Sequence, residues 1–216
     1  SIGGIEIVND SRLGEELSID GLLEQHDAVF LGIGLGGVNA LGVEGEGDEA
    51  VASAVDFIAY LRQADRFAKV PVGRRVLVIG GGMTAIDVAT QARLLGAQDV
   101  TIAYRRGREN MNASHVEQNQ SSSKGVNIRH WMMPVEVTKT GSGALEVKME
   151  FTELSGGKLK GTGKFQTIEV DQLFTAIGQT GTDWANSGTP AFTNIVDGDL
   201  DSDGIPNFLD PDNDND

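Results

Sequence analysis

The chain has 216 residues, 39% of them hydrophobic, which is enough for one large globular domain or two small ones. Its formal charge of −15 argues against a nucleic-acid partner and against an anionic membrane surface, and its longest apolar run, residues 28–38, is too short to span a bilayer. Because there is no cysteine, these residues form no disulfide or redox dithiol and supply no thiolate to an iron–sulfur cluster.

The N-terminal part of the chain shows two strand signals and one helix signal. Residues 5–8 (Ile-Glu-Ile-Val) favour a short strand, and Ile19–Gln25 favours a short helix. Residues 27–33 predict a buried strand that ends in a glycine-rich loop containing Gly34. This strand and loop resemble the place where a flavoprotein chain passes between its two nucleotide domains. A core strand followed by a turn is the alternative.

A helix and a boundary follow. Apolar residues at helical spacing predict a helix over residues 48–65. Pro71 and Gly73 then mark a break before the next strand. We therefore predict that one domain ends at residue 70 and another begins at residue 71.

Residues 76–89 have the pattern of a dinucleotide-binding turn. A short apolar strand leads into three glycines, and a helical sequence that ends near Gly96 follows at once. In the pattern G-x-G-x-x-A, the first glycine permits a tight turn, the second lets a pyrophosphate approach the backbone, and the alanine lets the helix pack closely. A glycine-rich turn with no ligand is the alternative. The predicted cofactor-binding residues of this segment are Gly80, Gly81, Gly82, Met83, Thr84 and Asp87.

Basic residues stand where the second strand, residues 100–104, is predicted to end. An NAD site usually has an acidic residue at this position, which accepts hydrogen bonds from the ribose 2′-hydroxyl. This chain has Arg105 and Arg106 instead, with Arg108 close behind. Two guanidinium groups suit the 2′-phosphate of NADP, so the sequence predicts NADP, with NAD as the alternative. A solvated basic loop is the structural alternative.

The remaining α/β segment predicts one more parallel strand, a meander and a returning strand. Ser114 and Glu117 fit a capping box, so His115 is interpreted as part of a helix start rather than as a catalytic residue. Glycine-rich turns separate the later strands. The predicted strands are residues 126–131, the three meander strands 134–140, 144–154 and 164–170, and the returning strand 171–177, which ends at Gly178.

Four stretches, residues 27–46, 80–87, 104–106 and 174–179, resemble the flavin-dependent pyridine-nucleotide oxidoreductases. Among these, the glutamate synthase small subunit and the flavin subunit of bacterial dihydropyrimidine dehydrogenase are the most similar. The second is the closer on residues 35–46 and 129–131.

This resemblance implies an α/β fold with a Rossmann-like nucleotide-binding domain and a three-stranded meander. It also implies NADPH or NADH in one domain, FAD in another, and hydride transfer between them, with electrons passing on to an iron–sulfur or catalytic partner subunit. Gly34 and Gly178 are implied cofactor-binding residues. No side chain is implied as catalytic, because the reacting atoms belong to the cofactors. A cytoplasmic location goes with this family.

The chain departs from the family pattern at both ends of the resemblance. No FAD fingerprint precedes residue 27, and a polar linker replaces the family sequence after Gln179. We therefore expect a fragment with a partial flavin domain. The predicted division is residues 1–70 for the flavin-domain remnant with its connecting helix, 71–180 for the NAD(P)-binding domain, 181–196 for a linker and 197–216 for an acidic tail.

The acidic tail has the spacing of a calcium loop. Oxygen ligands at loop positions 1, 3, 5, 7 and 12, with glycine at 6, are what Ca²⁺ requires, and the segment resembles a thrombospondin type 3 repeat. Such repeats imply an extracellular setting, so the location of the whole chain stays open. A disordered acidic tail is the alternative for this segment, and a calcium-dependent adhesion module is the alternative function for the chain. The predicted calcium ligands are Asp199, Asp201, Asp203, Ile205, Asp210 and Asp212.

Overall fold

A computed structural model describes residues 3–32, 35 and 37–180 of the chain. These residues belong to two compact units, of which the second spans Val38–Thr180. In the first unit, helix α1 (Ile19–Gln25) begins after Ser18, whose hydroxyl accepts a hydrogen bond from the Gly21 N–H at 3.1 Å. The predicted short helix is therefore confirmed.

The two strands predicted in the first unit are wrong. Residues 5–8 have no regular secondary structure and their three apolar side chains are exposed, and residues 28–32 form no ladder. A strand needs a partner to pair its N–H and C=O groups, and neither segment pairs with another strand among the described residues.

The remaining helices and strands lie in the second unit, apart from Gly37 at the start of β1. The helices are α2 (Ala54–Gln63), α3 (Met83–Leu94) and α4 (His115–Ser123). The strands are β1 (Gly37–Val38), β2 (Val51–Ser53), β3 (Arg75–Ile79), β4 (Asp99–Tyr104), β5 (Val126–His130), β6 (Met132–Lys139), β7 (Leu145–Ser155), β8 (Lys158–Val170), β9 (Gln172–Thr175) and β10 (Gln179–Thr180).

The centre of this unit is a five-stranded parallel sheet with the order β2-β9-β3-β4-β5. Helices α2, α3 and α4 connect successive strands, which is the βαβ arrangement of a Rossmann-like fold. A separate antiparallel sheet, β6-β7-β8, is inserted between β5 and β9. The predicted α/β class and the three-stranded meander are confirmed.

The helix predicted over residues 48–65 is shorter than expected. Helix α2 begins at Ala54, because the Ser53 side chain caps it by accepting a hydrogen bond from the Asp56 N–H at 3.4 Å. Residues 51–53 instead form β2, which pairs with β9. Three residues are too few to show the alternating pattern of a strand in the sequence, especially within a stretch whose apolar residues have helical spacing. Because β2 pairs with β9, residues 51–63 belong to the same unit as the central sheet. The predicted domain division at residue 70 stays a prediction.

The central sheet is covered on both faces. Val76 and Val78 of β3 pack with the helices, whereas Leu77 and Ile79 of the same strand pack with the meander. The alternation follows from the two-residue period of a strand. At the helix face, the rings of Phe57 and Phe174 pack with their centroids 4.6 Å apart. Strand β3 is therefore buried on both faces, and this packing holds the start of the following turn in position.

The meander differs from its prediction mainly at β8. This strand begins at Lys158 rather than at residue 164, and its first half pairs with the end of β7. This half contains Gly161 and Gly163, and because glycine is uncommon inside strands, the sequence does not indicate a strand here.

An ion-pair cluster joins the two sheets at the amino end of β3. The Arg75 guanidinium donates to the carboxylates of Asp171 and Glu169, and the Arg75 N–H donates to Asp171 at 2.9 Å. The hydrogen bonds from Arg75 hold the pKa of Asp171 below its usual range, against the opposing effect of burial. This cluster lies at the opposite edge of the sheet from the glycine turn.

Candidate functional site

The glycine turn after β3 is wedged between two neighbouring strands. The Gly80 N–H donates to the Ala103 carbonyl at 3.1 Å, and Gly80 has a φ of +150°. A Cβ at this position would overlap the carbonyl oxygen of Ala176. A Cβ at Gly81 would overlap the ring of Tyr104. Steric packing is therefore a sufficient reason for glycine at both positions.

Gly82 differs from the other two glycines. It has a φ of −94°, which any residue can adopt, and a Cβ there would meet no atom within 4 Å. It is the N-cap of α3 and has no side chain with which to cap the helix. The first N–H groups of α3 and the positive end of its dipole thus face open space, which is what a bound anion requires.

The open space beside Gly82 is a cavity of about 730 Å³ at the carboxyl edge of the parallel sheet. Ligands in open α/β sheets bind at this edge. Its walls come from the glycine turn, the ends of β4 and β9, the start of β6 and the segment after β1. The lining residues are Asn39–Leu41, Ile79–Gly82, Thr84, Ala103–Arg106, Asn110, Asn112, Met132–Pro134 and Ala176–Gly178.

The arginines after β4 do not share one environment. Arg105 and Arg106 are exposed and line the cavity, and neither forms an ion pair within the described part of the chain. The Arg108 guanidinium instead donates to Gln118 at 3.2 Å and to Asn119 at 2.5 Å, and it does not line the cavity. The guanidinium groups of Arg105 and Arg106 are therefore available to an anion, whereas that of Arg108 is hydrogen-bonded to α4.

A short segment after β1 closes the other end of the cavity. The Asn39 N–H donates to the Gly178 carbonyl at 3.1 Å, and the Asn39 side-chain amide donates to the Ile177 carbonyl at 3.3 Å. Gly178 has a φ of +104°, and a Cβ there would lie 3.0 Å from the Asn39 amide nitrogen. This end lies beyond β9, and the arginine end lies beyond β4, on opposite sides of β3.

Most of the predicted cofactor-binding residues come together in this cavity. Met83 and Asp87 are exposed on α3 and are not among the lining residues. Gly34 and the predicted calcium ligands of the tail lie outside the described residues. Within residues 3–32, 35 and 37–180, no group of three or more acidic or histidine side chains is arranged to hold a metal ion. The predicted residues that line the cavity are Gly80, Gly81, Gly82, Thr84, Arg105, Arg106 and Gly178.

Neither His115 nor His130 lies in the cavity wall. The capping box of Ser114 and Glu117 is present at the start of α4, so the structural interpretation of His115 is supported. At His130, burial lowers the pKa, and the nearby charge of Arg108 lowers it further. Both effects favour the neutral imidazole at pH 7.

Sequence reasoning missed three parts of the cavity wall. Asn39 lies in a glycine-rich stretch that shows no binding pattern. Asn110 is the last residue of a short 3₁₀ turn, Arg108–Asn110, and Asn112 follows that turn. The third part, Met132–Pro134, begins in the gap between two predicted strands, because the meander is predicted to start only at residue 134. An asparagine close behind the predicted end of a parallel strand was the one available signal, because ligand-binding loops follow the carboxyl ends of such strands.

No helix in the described part of the chain is both long enough and apolar enough to cross a membrane.

Several known proteins are similar in sequence to this chain. The chain is 34% identical to the glutamate synthase [NADPH] small chain of Escherichia coli over 81% of its own length and 40% of the relative's. It is 32% identical to the NADPH-Fe(3+) oxidoreductase subunit beta of Geobacter sulfurreducens, covering 82% of this chain and 27% of the relative. It is 30% identical to the NAD-dependent dihydropyrimidine dehydrogenase subunit PreT of Escherichia coli, covering 82% and 39%.

Among solved structures, Mycobacterium tuberculosis FprA in complex with NADPH matches with a TM-score of 0.63 and 20% identity, over 82% of this chain and 54% of that one. This similarity supports the fold. The chain spans between 27% and 40% of the length of the three curated relatives named above. The pyridine nucleotide-disulphide oxidoreductase family matches residues 5–192, most of the chain. The chain therefore belongs to the pyridine nucleotide-disulphide oxidoreductase family.

Proposed function

We propose that this chain is the nucleotide-binding part of a flavin-dependent oxidoreductase that takes hydride from NADPH and passes it to FAD. The observation that carries the proposal is the cavity at the glycine turn, where Gly82 leaves the N-terminus of α3 open to an anion. Arg105 and Arg106 line the same cavity. A pyrophosphate and a 2′-phosphate are the two anionic groups of NADPH, and the cavity offers one place to each.

The two ends of the cavity suggest the orientation of the nucleotide. The pyrophosphate lies against Gly82 and the first turn of α3, since the backbone N–H groups and the dipole favour negative charge there. The 2′-phosphate lies at Arg105 and Arg106, beyond β4. The nicotinamide then extends to the opposite side of β3, toward Gly178, which lies beyond the end of β9.

The chemistry belongs to the nucleotide and the flavin: the nicotinamide supplies a hydride when bound. The residues of this chain bind the phosphates, fix the position of the ring and exclude water from part of the cavity. None of the residues proposed to bind the nucleotide is required to move a proton, so no catalytic side chain is assigned.

FAD and a partner subunit are proposed from the family and its relatives. Two of the relatives described above are named as subunits of larger enzymes, and the glutamate synthase relative is named as a small chain. Because the chain has no cysteine, an iron–sulfur cluster in the electron path needs thiolates from outside these 216 residues.

The choice of nucleotide can be tested by titrating the purified chain with NADPH and NADH and following the nicotinamide fluorescence. We expect tighter binding of NADPH, and we expect Arg105→Ala and Arg106→Ala to weaken NADPH by roughly tenfold or more while leaving NADH nearly unchanged. The matched control is Arg62→Ala, which removes an exposed arginine from α2, outside the cavity.

Two results would contradict the proposal. If neither nucleotide binds at millimolar concentration, the nucleotide site is wrong. If the two arginine variants weaken NADPH and NADH equally, the assignment of the 2′-phosphate is wrong. The visible absorption of the purified chain tests the flavin separately, because a colourless protein that still binds NADPH limits the function of this chain to nucleotide binding.

We also propose that the tail binds calcium, on the alternating spacing of Asp199, Asp201 and Asp203 followed by Gly204. Calorimetric titration of the full chain with Ca²⁺ tests this. The double variant Asp201→Asn, Asp203→Asn should abolish the binding heat without changing NADPH affinity. Equal heats for the wild type and the variant would contradict a calcium site in the tail.

A further inference from the structure

The arginine turn, defined here as Arg105 and Arg106, is held in place by residues that do not touch the cavity. The Thr152 hydroxyl donates to the Arg105 carbonyl at 2.8 Å, and the Trp131 N–H donates to the Arg106 carbonyl at 3.3 Å. The Thr152 N–H also donates to the Trp131 carbonyl at 2.9 Å. These three bonds connect both residues of the turn to the meander.

Thr152 reaches the turn at a bulge in the pairing of β7 with β8, where the β8 residues 162–164 lie opposite the single β7 residue Phe151. From Leu145 to Met149, every second side chain of β7 is buried, so regular alternation would bury Phe151 and expose Thr152. The pairing of β7 with β8 shifts register between Glu150 and Thr152, and Thr152 is buried, with 5% of its surface exposed. Bulges commonly redirect a side chain in this way.

Trp131 also has an unusual backbone. Its φ of +61° lies in the left-handed region, which a bulky residue rarely adopts. Such a conformation persists only where the surrounding structure imposes it, and residues of this kind are common at functional sites. Here, it lets one residue donate its N–H to Arg106 and offer its carbonyl to Thr152.

We propose that Thr152 is a positioning residue that sets the preference of this site for NADPH over NADH. Its hydroxyl fixes the backbone of the arginine turn, so that both guanidinium groups stay at the place of the 2′-phosphate. This inference rests on the proposed function, because it assumes that NADPH binds in the cavity with its 2′-phosphate at the arginine turn. NADH has no such phosphate, so its affinity does not depend on where the arginines point.

The test is the ratio of the dissociation constants of NADH and NADPH in Thr152→Val, which keeps the shape of the side chain and removes the hydroxyl. We expect the ratio to fall about fivefold or more, through weaker NADPH binding, since the loss of one positioned charge contact is worth roughly a factor of ten. Thr152→Ser keeps the hydroxyl, so its ratio should stay within about twofold of the wild type, as for a retained hydrogen bond.

A matched control comes from the same sheet. Thr162 also donates its hydroxyl to a backbone carbonyl, that of Phe151, at 2.9 Å, but it has no hydrogen bond to the arginine turn. Thr162→Val should therefore leave the ratio unchanged. Urea unfolding of each variant serves as the folding control, and NADH affinity shows whether the rest of the site is intact. If Thr152→Val does not fold, Thr152→Ala measured at lower temperature replaces it.

The outcomes separate this inference from the proposed function. If the wild type prefers NADPH and Thr152→Val keeps the wild-type ratio, the positioning role is wrong and the nucleotide site stands. If Thr152→Val loses both nucleotides equally, the role of Thr152 is general stability and the inference is also wrong. If the wild type binds neither nucleotide, the proposed function itself fails.

Discussion

Replacement of Gly82 by alanine separates the two functions that glycine has in the turn after β3. At Gly80 and Gly81, an added methyl group would overlap Ala176 or Tyr104, so substitution there damages the fold. At Gly82, the methyl group meets no atom within 4 Å and the backbone has an ordinary φ of −94°. The added methyl group would project into the space that we assign to the pyrophosphate.

The expected magnitudes differ for stability and for binding. Alanine is a poorer N-cap than glycine, so Gly82→Ala should lower the free energy of unfolding by about 0.5–1 kcal/mol. Displacing the pyrophosphate weakens one hydrogen bond to a charged group, which is worth about 1.5–3 kcal/mol. The dissociation constant of NADPH should therefore rise roughly ten- to a hundredfold. Gly80→Ala, with its φ of +150°, should lower the free energy of unfolding by more than about 1 kcal/mol.

Urea unfolding and NADPH fluorescence titration of the same preparations provide the two numbers. The control is Gly141→Ala, because a Cβ there also meets nothing within 4 Å and the residue lies in the turn between β6 and β7, outside the cavity wall. This control should bind NADPH as the wild type does. Wild-type affinity in Gly82→Ala would refute the assignment of the pyrophosphate to this helix end.

Three further predictions concern the arginines and the core. Arg108→Ala should change NADPH affinity by less than about threefold, which is the usual size of a surface substitution's effect. The reason is that the Arg108 guanidinium is hydrogen-bonded to α4. A tenfold loss of NADPH affinity in titration would contradict this. Phe174→Ala should destabilise the fold by about 3–5 kcal/mol in urea unfolding, since the ring is fully buried beside Phe57, and a loss below about 1 kcal/mol would be inconsistent. Hydrogen bonds from Arg75 lower the pKa of Asp171. The charged carboxylate therefore stabilises the fold fully at pH values above the ordinary aspartate pKa. This stabilisation is lost as the pH falls through the lowered pKa. Asp171→Asn should therefore weaken the acid dependence of unfolding, and identical pH profiles would argue against the ion pair.

The sequence predicts those parts of the fold that local patterns determine. Strand β3, the glycine turn and helix α3 follow from an apolar run, three glycines and helix-forming residues, and the capping box of α4 follows from Ser114 and Glu117. In each case, the residues that form the structure are neighbours in the chain. The arginine turn is predictable for the same reason, because it follows β4 directly.

The rest depends on partners that are distant in the chain. Strand β2 exists because β9, more than a hundred residues later, pairs with it, and residues 5–8 are not a strand because no described segment pairs with them. The contribution of Asn39 to the cavity requires its contact with Gly178. The burial of Thr152 results from a register shift between β7 and β8, which no local pattern encodes.

The central claim is that NADPH binds across the carboxyl edge of the sheet, with its phosphates at α3 and at the arginine turn. A crystal structure of the chain soaked with NADPH measures this most directly. We predict density for the pyrophosphate beside Gly82, for the 2′-phosphate between Arg105 and Arg106, and for the nicotinamide on the Gly178 side of β3. A nucleotide bound outside this cavity, or bound in the reverse orientation with its adenosine at Gly178, would contradict the account.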